Sequence, residues 1–205
     1  MTDARVVAVV PVKRLAAAKS RVRLPADQRE TLAFAFALDT LDALTASPVV
    51  AATLVVTSDL DVVSELRRMD VEVVPDDTAG LHNAVEVGIA AATRRWPDLG
   101  IAVVPADLPT LRPVDVEEVV GLAEATGGAF VPDHEGTGTT IVVHPSGRST
   151  ATRYGPSSAI RHRQLGLTAL DHAPPRARLD VDTLEDLDVA LTLGVGSRTA
   201  AAVAA

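Results

Sequence analysis

The sequence predicts an α/β protein with an open, mostly parallel sheet, because short runs rich in Val and Ile alternate with longer segments of helical periodicity. Its 205 residues, 47% of them hydrophobic, are enough for one domain with a substantial core. A loop of Gly and Thr between two short strand-like runs indicates an antiparallel hairpin around residues 129–143. We therefore expect one domain over residues 1–196 and a disordered tail over residues 197–205.

Each element follows from its own pattern. Residues 6–12 form a continuous β-branched run typical of a buried strand, and residues 30–44 place apolar side chains on one helix face. The same reasoning predicts further strands over residues 53–57, 71–74, 101–104, 129–131, 140–143 and 178–181. It predicts further helices over residues 62–69, 82–95, 114–125, 157–164 and 184–193. Ser58 and Asp59 are expected to cap the first of these further helices.

Composition excludes several classes of function. The chain has no cysteine, which removes disulfides, thiolate nucleophiles, iron–sulfur clusters and Cys-ligated zinc. Its net charge of −8 argues against a nucleic-acid partner, and its five aromatic residues provide no stacking platform for single strands. No apolar run approaches the ~20 residues of a membrane span. The N-terminal residues lack the layout of a signal peptide, so we expect a cytoplasmic protein.

A basic segment, residues 11–21, follows the first predicted strand and contains the only two lysines of the chain, Lys13 and Lys19, together with Arg14 and Arg21. Ligands of open α/β sheets bind beyond the carboxyl ends of the strands. Four cations in such a loop can neutralise a triphosphate, although the segment lacks the glycines of a Walker A loop. A solvated basic loop is the alternative interpretation.

Three aspartates are candidate metal ligands. Asp107 follows the buried strand 101–104, and Asp180 and Asp182 are two residues apart in a segment predicted to be extended, so their carboxylates leave the same face. A divalent cation between such carboxylates relieves their mutual repulsion. The alternatives are a turn residue at Asp107 and a helix cap at Asp182 or Thr183.

Two further segments suit an anionic ligand. The loop of Gly136, Gly138 and Thr139 allows close backbone approach and offers hydroxyl and amide donors, although a tight hairpin would look the same. Gly155, Pro156 and Ser157 open a predicted helix whose N-terminal amides, with Ser157 or Ser158, suit a phosphate or carboxylate. His162 and the neighbouring arginines can assist there, although a basic surface helix is the commoner outcome.

Taken together, these five motifs resemble the guanylyltransferases of coenzyme F-420 biosynthesis, in the family's order and from Val6 to about Gly196. The resemblance implies a Rossmann-like, GT-A-like nucleotidyltransferase fold: a mixed, mostly parallel sheet flanked by helices. It also implies that three catalytic carboxylates bind Mg²⁺ and that Lys13 takes part in catalysis. The resemblance further implies which residues contact the metal and the two substrates. The metal ligands are Asp107, Asp180 and Asp182; the residues around the phosphorylated acid are Lys13, Leu81, Thr139, Gly155 and Ser158; those at the nucleotide are Lys19, Arg21, His82, Gly136 and Gly138. The sequence departs from the family at Tyr154, where Phe is usual, and at His82, where Asn is commoner.

The function implied by the resemblance is transfer of GMP from GTP to phosphoenolpyruvate or 2-phospho-L-lactate, with release of pyrophosphate. The activated product would pass to a downstream transferase that acts on a deazaflavin precursor. The alternatives are a nucleotidyltransferase for another phosphorylated substrate, such as 3-phosphoglycerate or a sugar phosphate, and a non-catalytic nucleotide-binding domain. A dehydrogenase is disfavoured because no G-x-G-x-x-G follows the first strand. The resemblance leaves open whether the chain forms a homodimer.

Overall fold

The computed structural model describes residues 5–12, 24–76 and 80–205. Its strands are β1 (Val6–Pro11), β2 (Val50–Val56), β3 (Glu72–Val74), β4 (Gly100–Val103), β5 (Ala129–Pro132), β6 (Thr139–His144) and β7 (Thr168–Ala169). Its helices are α1 (Ala26–Thr45), α2 (Leu60–Leu66), α3 (Leu81–Arg95), α4 (Pro113–Thr126), α5 (Ser158–Gln164), α6 (Pro175–Arg178), α7 (Leu184–Leu193) and α8 (Ser197–Ala204). Within these ranges, no helix has both the length and the apolar character needed to cross a membrane.

The strands form one sheet in the order β3-β2-β1-β4-β6-β5-β7. Strands β3, β2, β1 and β4 are parallel, whereas β6 runs antiparallel to both of its neighbours, β4 and β5. The predicted α/β class, the mostly parallel sheet and the antiparallel hairpin are therefore confirmed.

Strand β1 is buried on both faces of the sheet, as its continuous apolar sequence predicts. Val6, Ala8 and Val10 face one side, where α1 and α4 pack, while Val7 and Val9 face the other side, against α3. This two-sided burial places β1 and β4 at the centre of the fold, and their carboxyl ends lie at the same edge of the sheet.

The predicted strand over residues 178–181 is wrong. Pro174 and Pro175 begin the short helix α6, which ends at Arg178, and residues 179–182 belong to no strand. Proline lacks a backbone N–H and suits the first turn of a helix, which explains why the helix starts there.

The expected disordered tail is also wrong, because Ser197–Ala204 form helix α8 against α1. The buried Asp39 carboxylate of α1 accepts hydrogen bonds from the backbone N–H groups of Arg198 and Thr199, at 3.0 and 2.8 Å. The N–H group of Gly196 donates to the carbonyl oxygen of Pro109. These three bonds satisfy the first turn of α8 and hold it on the domain.

Candidate active site

The candidate site lies at the edge of the sheet where β1 and β4 end. The N–H group of Val104 donates to the carbonyl oxygen of Val9, so the two chains stay side by side as they leave the sheet. Strand β6 runs the opposite way, so its first residue, Thr139, lies at the same edge. This edge therefore gathers the segment after β4, which contains Asp107, and the segment that precedes β6.

Helix α1 holds the loop that contains Asp107 through a hydrogen bond to Thr40. The backbone N–H of Leu108 donates to the Thr40 hydroxyl oxygen at 3.1 Å, and that hydroxyl donates to the carbonyl oxygen of Phe36 at 2.8 Å. Thr40 and Leu108 are both fully buried. A buried N–H group needs a partner, so Thr40 fixes the backbone directly after Asp107.

The segment with the other two aspartates lies beside this loop. The N–H of Val181 donates to the carbonyl oxygen of Asp107 at 3.1 Å, which joins the two acidic segments. Leu179 and Val181 are buried against α1 and α7, whereas Asp180 and Asp182 are partly exposed. This alternation of buried and partly exposed residues agrees with the spacing of two that places Asp180 and Asp182 on one face.

Helix α7 fixes the backbone at Asp182. Thr183 is its N-cap, and the Asp186 carboxylate accepts hydrogen bonds from the N–H groups of Asp182 and Thr183, at 3.0 and 2.8 Å. Of the two capping alternatives, Thr183 is the correct one. The cap leaves the Asp182 side chain in the acidic segment and outside the capping box.

The donor set suits a hard divalent cation, because all three side chains are carboxylates and Mg²⁺ prefers oxygen ligands. Within the described ranges, however, no group of three or more His, Asp and Glu side chains already forms a cluster that could hold a metal ion. The backbone bond between Val181 and Asp107 brings the segments together, and coordination by their side chains remains a proposal.

Tyr154 lies beside this edge, on the other face of the sheet. Its hydroxyl group is 3.2 Å from the carbonyl oxygens of Val103 and Thr140, so it ties the end of β4 to the start of β6. Burial, reinforced by the negative charge of Asp107, raises the pKa of Tyr154. Tyr154 therefore stays a neutral donor within the structural frame of the site.

The glycine-rich loop is organised from within by Asp133. Its carboxylate accepts hydrogen bonds from the N–H groups of Thr137 and Gly138, at 3.0 and 2.7 Å. The amide of Gly138 is therefore already engaged and is a weaker candidate for a ligand donor than the sequence suggests. Gly136 lies at the exposed tip, with a φ of +76° that favours glycine.

The loop before α5 carries the other proposed substrate contacts. Gly155 has a φ of +114°, and Ser158 is buried as the first residue of α5. The Arg161 guanidinium donates to the carbonyl oxygens of Pro156 and Tyr154, which holds this loop from its own helix. The N–H of Ala159 donates to the carbonyl oxygen of Thr137, so the first turn of α5 and the glycine-rich hairpin are in direct contact.

Of the remaining predicted residues, two lie at the start of α3 and three lie outside the described residues. Leu81, the first residue of α3, packs against the same face of the sheet as Tyr154, and His82 beside it is exposed. Lys13, Lys19 and Arg21 lie outside the described residues.

Sequence reasoning missed the residues that hold these loops. Asp186 could have been found, because it is the third residue after the N-cap Thr183, in a capping box. Asp133 precedes a glycine-rich loop, a common place for an Asp that accepts backbone bonds. For Thr40 no signal exists in the sequence, since its partner Leu108 is 68 residues away.

Comparison with known proteins agrees with this architecture. Among solved structures, a nucleotidyl transferase from Methanothermobacter superposes with a TM-score of 0.67 at 16% identity, covering 92% of this chain and 97% of that one. A Mycobacterium tuberculosis protein crystallised in complex with manganese superposes with a TM-score of 0.56 at 19% identity, covering 93% of this chain and 100% of that one. At these identities the likeness shows the nucleotidyltransferase fold.

Sequence relatives are closer. A phosphoenolpyruvate guanylyltransferase from Salinispora arenicola is 46% identical over 197 residues, which cover 94% of this chain and 90% of the relative. One from Streptomyces scabiei is 43% identical over 204 residues, which cover 96% and 94%. The family model described as guanylyl transferase, CofC-like, matches residues 6–202. The chain therefore belongs to the CofC-like guanylyltransferase family.

Proposed function

We propose that this enzyme transfers GMP from GTP to phosphoenolpyruvate and releases pyrophosphate, which forms enolpyruvyl-diphospho-5′-guanosine for coenzyme F-420 biosynthesis. Relatives that are 46% and 43% identical over nearly the whole chain bear the name of this activity. 2-Phospho-L-lactate is the second three-carbon acid that the site would accept. We expect the product to serve a downstream transferase that acts on a deazaflavin precursor.

The observation that carries the proposal is the hydrogen bond from the Val181 N–H to the Asp107 carbonyl oxygen. It joins the segment after the central strand β4 to the segment with Asp180 and Asp182, at the edge where open α/β sheets bind ligands. Carboxylates on two adjoining segments repel one another, and a divalent cation between them relieves this repulsion. We assign Asp107, Asp180 and Asp182 to Mg²⁺, and the manganese bound by the mycobacterial structural neighbour is consistent with a divalent cation in this fold.

The chemistry requires positioning more than proton transfer. An oxygen of the three-carbon acid's phosphate attacks the α-phosphorus of GTP, and the bond between that phosphorus and the pyrophosphate oxygen breaks. The attacking phosphate is already ionised at neutral pH, so no general base is needed. When bound, Mg²⁺ supplies positive charge that offsets the repulsion between the two anions.

The protein's own side chains would orient the two substrates. We assign Thr139, Gly155 and Ser158 to the phosphorylated acid. The hairpin that carries Thr139 is in direct contact with the first turn of α5, which contains Ser158 and follows Gly155. Leu81 would line the same pocket. Lys13 would neutralise negative charge on the phosphorylated acid.

At the nucleotide, Lys19 and Arg21 would neutralise the leaving pyrophosphate. His82, Gly136 and Gly138 are assigned to GTP on the resemblance alone.

A substrate panel tests the proposal directly. Pyrophosphate release is measured with the four nucleoside triphosphates, each crossed with phosphoenolpyruvate, 2-phospholactate, 3-phosphoglycerate and a sugar phosphate, with and without Mg²⁺. We expect Mg²⁺-dependent release with GTP and phosphoenolpyruvate. Activity on the sugar phosphate with none on either three-carbon acid would refute the assignment.

The metal ligands are tested by Asp180→Asn, which keeps the size of the side chain and removes its charge. We expect turnover to fall by a factor of about 100 or more, because loss of an outer partner of a metal ligand already costs about 10–100-fold and Asp180 would be a ligand itself. Asp188→Asn is the matched control, since Asp188 is exposed on α7 outside the acidic segment. Equal activity of the two variants would remove Asp180 from the site.

A further inference from the structure

His162 is a fully buried histidine to which the proposed function gives no role. It lies on α5, and its ring centroid is 5.5 Å from that of Phe130 and 5.3 Å from that of Tyr154, the latter in an edge-to-face arrangement. Both of its ring nitrogens have partners. The two partners belong to the two loops that carry the proposed substrate contacts.

The partners determine which ring nitrogen carries the proton. The backbone N–H of Arg153 donates to Nε2 at 2.9 Å, and a backbone N–H can only donate. Nε2 must therefore present its lone pair, and the proton of the neutral ring is on Nδ1. Nδ1 is 2.9 Å from the hydroxyl oxygen of Thr139, to which it donates. The carbonyl oxygen of Ser158, one helical turn earlier, is a second acceptor for the same Nδ1–H, which requires the same tautomer.

The ring remains in this state at neutral pH. Burial, followed by electrostatic repulsion from His144, Arg161 and Arg153, lowers the pKa of His162 to about 4. A second proton on Nε2 would also face the N–H of Arg153 and break that bond. The arrangement is therefore fixed under ordinary conditions.

This tautomer has a consequence for Thr139. Because its hydroxyl oxygen accepts from His162, the hydroxyl hydrogen must point to another acceptor. At the edge of the sheet that we assign to the phosphorylated acid, an anionic oxygen of the substrate would be that acceptor. The opposite tautomer would turn the hydroxyl hydrogen toward the ring and present only lone pairs to an anion.

We propose that His162 is a positioning residue, which holds the Thr139 hydroxyl as a hydrogen-bond donor toward the phosphorylated acid and fixes the loop of residues 153–158 through the N–H of Arg153. The inference rests on the proposed function for the identity of the substrate. The tautomer and its two hydrogen bonds do not depend on that identity.

The tautomer is tested first, on the full chain without substrate. In ¹⁵N-histidine-labelled protein at pH 7.5, we expect one ring with a protonated Nδ1 and an unprotonated Nε2 that disappears in His162→Gln. An Nε2-protonated or doubly protonated ring at His162 would overturn the proposal, whatever reaction the enzyme catalyses.

The coupling to Thr139 is tested by a double-mutant cycle of Thr139→Val and His162→Gln. A hydrogen bond to a charged group affects binding by about tenfold or more, so each single variant should raise the KM for phosphoenolpyruvate by about that factor. The KM for GTP should change by less than about twofold. In the His162→Gln background, Thr139→Val should add no more than about twofold.

Three controls separate positioning from loss of folding. Thr139→Ser keeps the hydroxyl and should retain activity, and His162→Asn, whose amide can replace Nδ1–H, should recover part of the lost affinity. Thermal unfolding of each variant identifies any that is merely misfolded. If Thr139→Val costs its full factor in the His162→Gln background, the two side chains act independently and the proposal is wrong. If the wild type uses a different phosphorylated acid, the proposed substrate fails, and the same cycle with that acid still decides the role of His162.

Discussion

A substitution at Thr40 tests whether helix α1 positions the loop that contains Asp107. The change Thr40→Val keeps the shape of the side chain but removes the oxygen that accepts from the Leu108 N–H at 3.1 Å. Leu108 is fully buried, so water cannot replace the lost partner. Leaving such a group unsatisfied costs about 1–3 kcal/mol. A central value of about 2 kcal/mol corresponds to a fall in Tm of about 4–8 °C for a chain of this size.

The matched control is Thr45→Val, one helical turn further along α1. The Thr45 hydroxyl also donates to a backbone carbonyl four residues earlier, that of Leu41, and is more exposed. Calorimetry and pyrophosphate release are measured for both variants. We expect Thr40→Val to lose both stability and turnover, because the backbone after Asp107 is released, and Thr45→Val to lose little of either. Equal behaviour of the two variants would refute the claim that Thr40 positions the Asp107 loop.

Two further predictions concern stability. Asp39→Ala should cost about 1–2 kcal/mol and speed hydrogen exchange in α8, because it removes the acceptor of two N–H groups. Asp42→Ala removes only an exposed ion pair of 3.8 Å with Arg198 and should change exchange little. Unchanged protection of α8 in Asp39→Ala would contradict this. Acid should also destabilise the protein. Burial lowers the pKa of His144 and of His162 from 6.5 to about 4. Between these pH values the unfolded chain therefore binds more protons than the folded protein, so stability falls as the pH is lowered. Urea unfolding midpoints should fall from pH 7 to pH 4, less steeply in His144→Asn, and equal slopes would exclude His144 as a cause.

The elements with strong local signals could be predicted from sequence. Helix α7 begins and ends where its capping residues and apolar spacing predict, at Leu184 and Leu193. The central strand β1 is equally clear, since a continuous β-branched run is typical of a strand buried on both faces. Two loops of the candidate site could also be predicted, because Asp107 and Gly136 follow strands β4 and β5.

Helix α8 could not be predicted, because its order depends on a carboxylate about 160 residues away in sequence. Read locally, the glycines before residue 197 and the alanines after it indicate fraying. The strand predicted over residues 178–181 is the opposite case, because a regular element was expected and none forms. The apolar alternation there is typical of a strand, but Leu179 and Val181 pack on helices rather than in a sheet. In both segments long-range packing overrides the local pattern.

The candidate site has two kinds of residue, and motifs show one of them more readily than the other. The loops carry the carboxylates and hydroxyls that would meet substrate, while single polar groups hold the backbone of each loop. These groups are Thr40 at Asp107, Asp133 at the glycine-rich loop, His162 at residues 153–158 and Asp186 at Asp182. Because they act on the backbone, replacing them moves a reactive group without removing it. Their variants should therefore lose activity while every candidate ligand is still present, and this distinguishes positioning from chemistry in this enzyme.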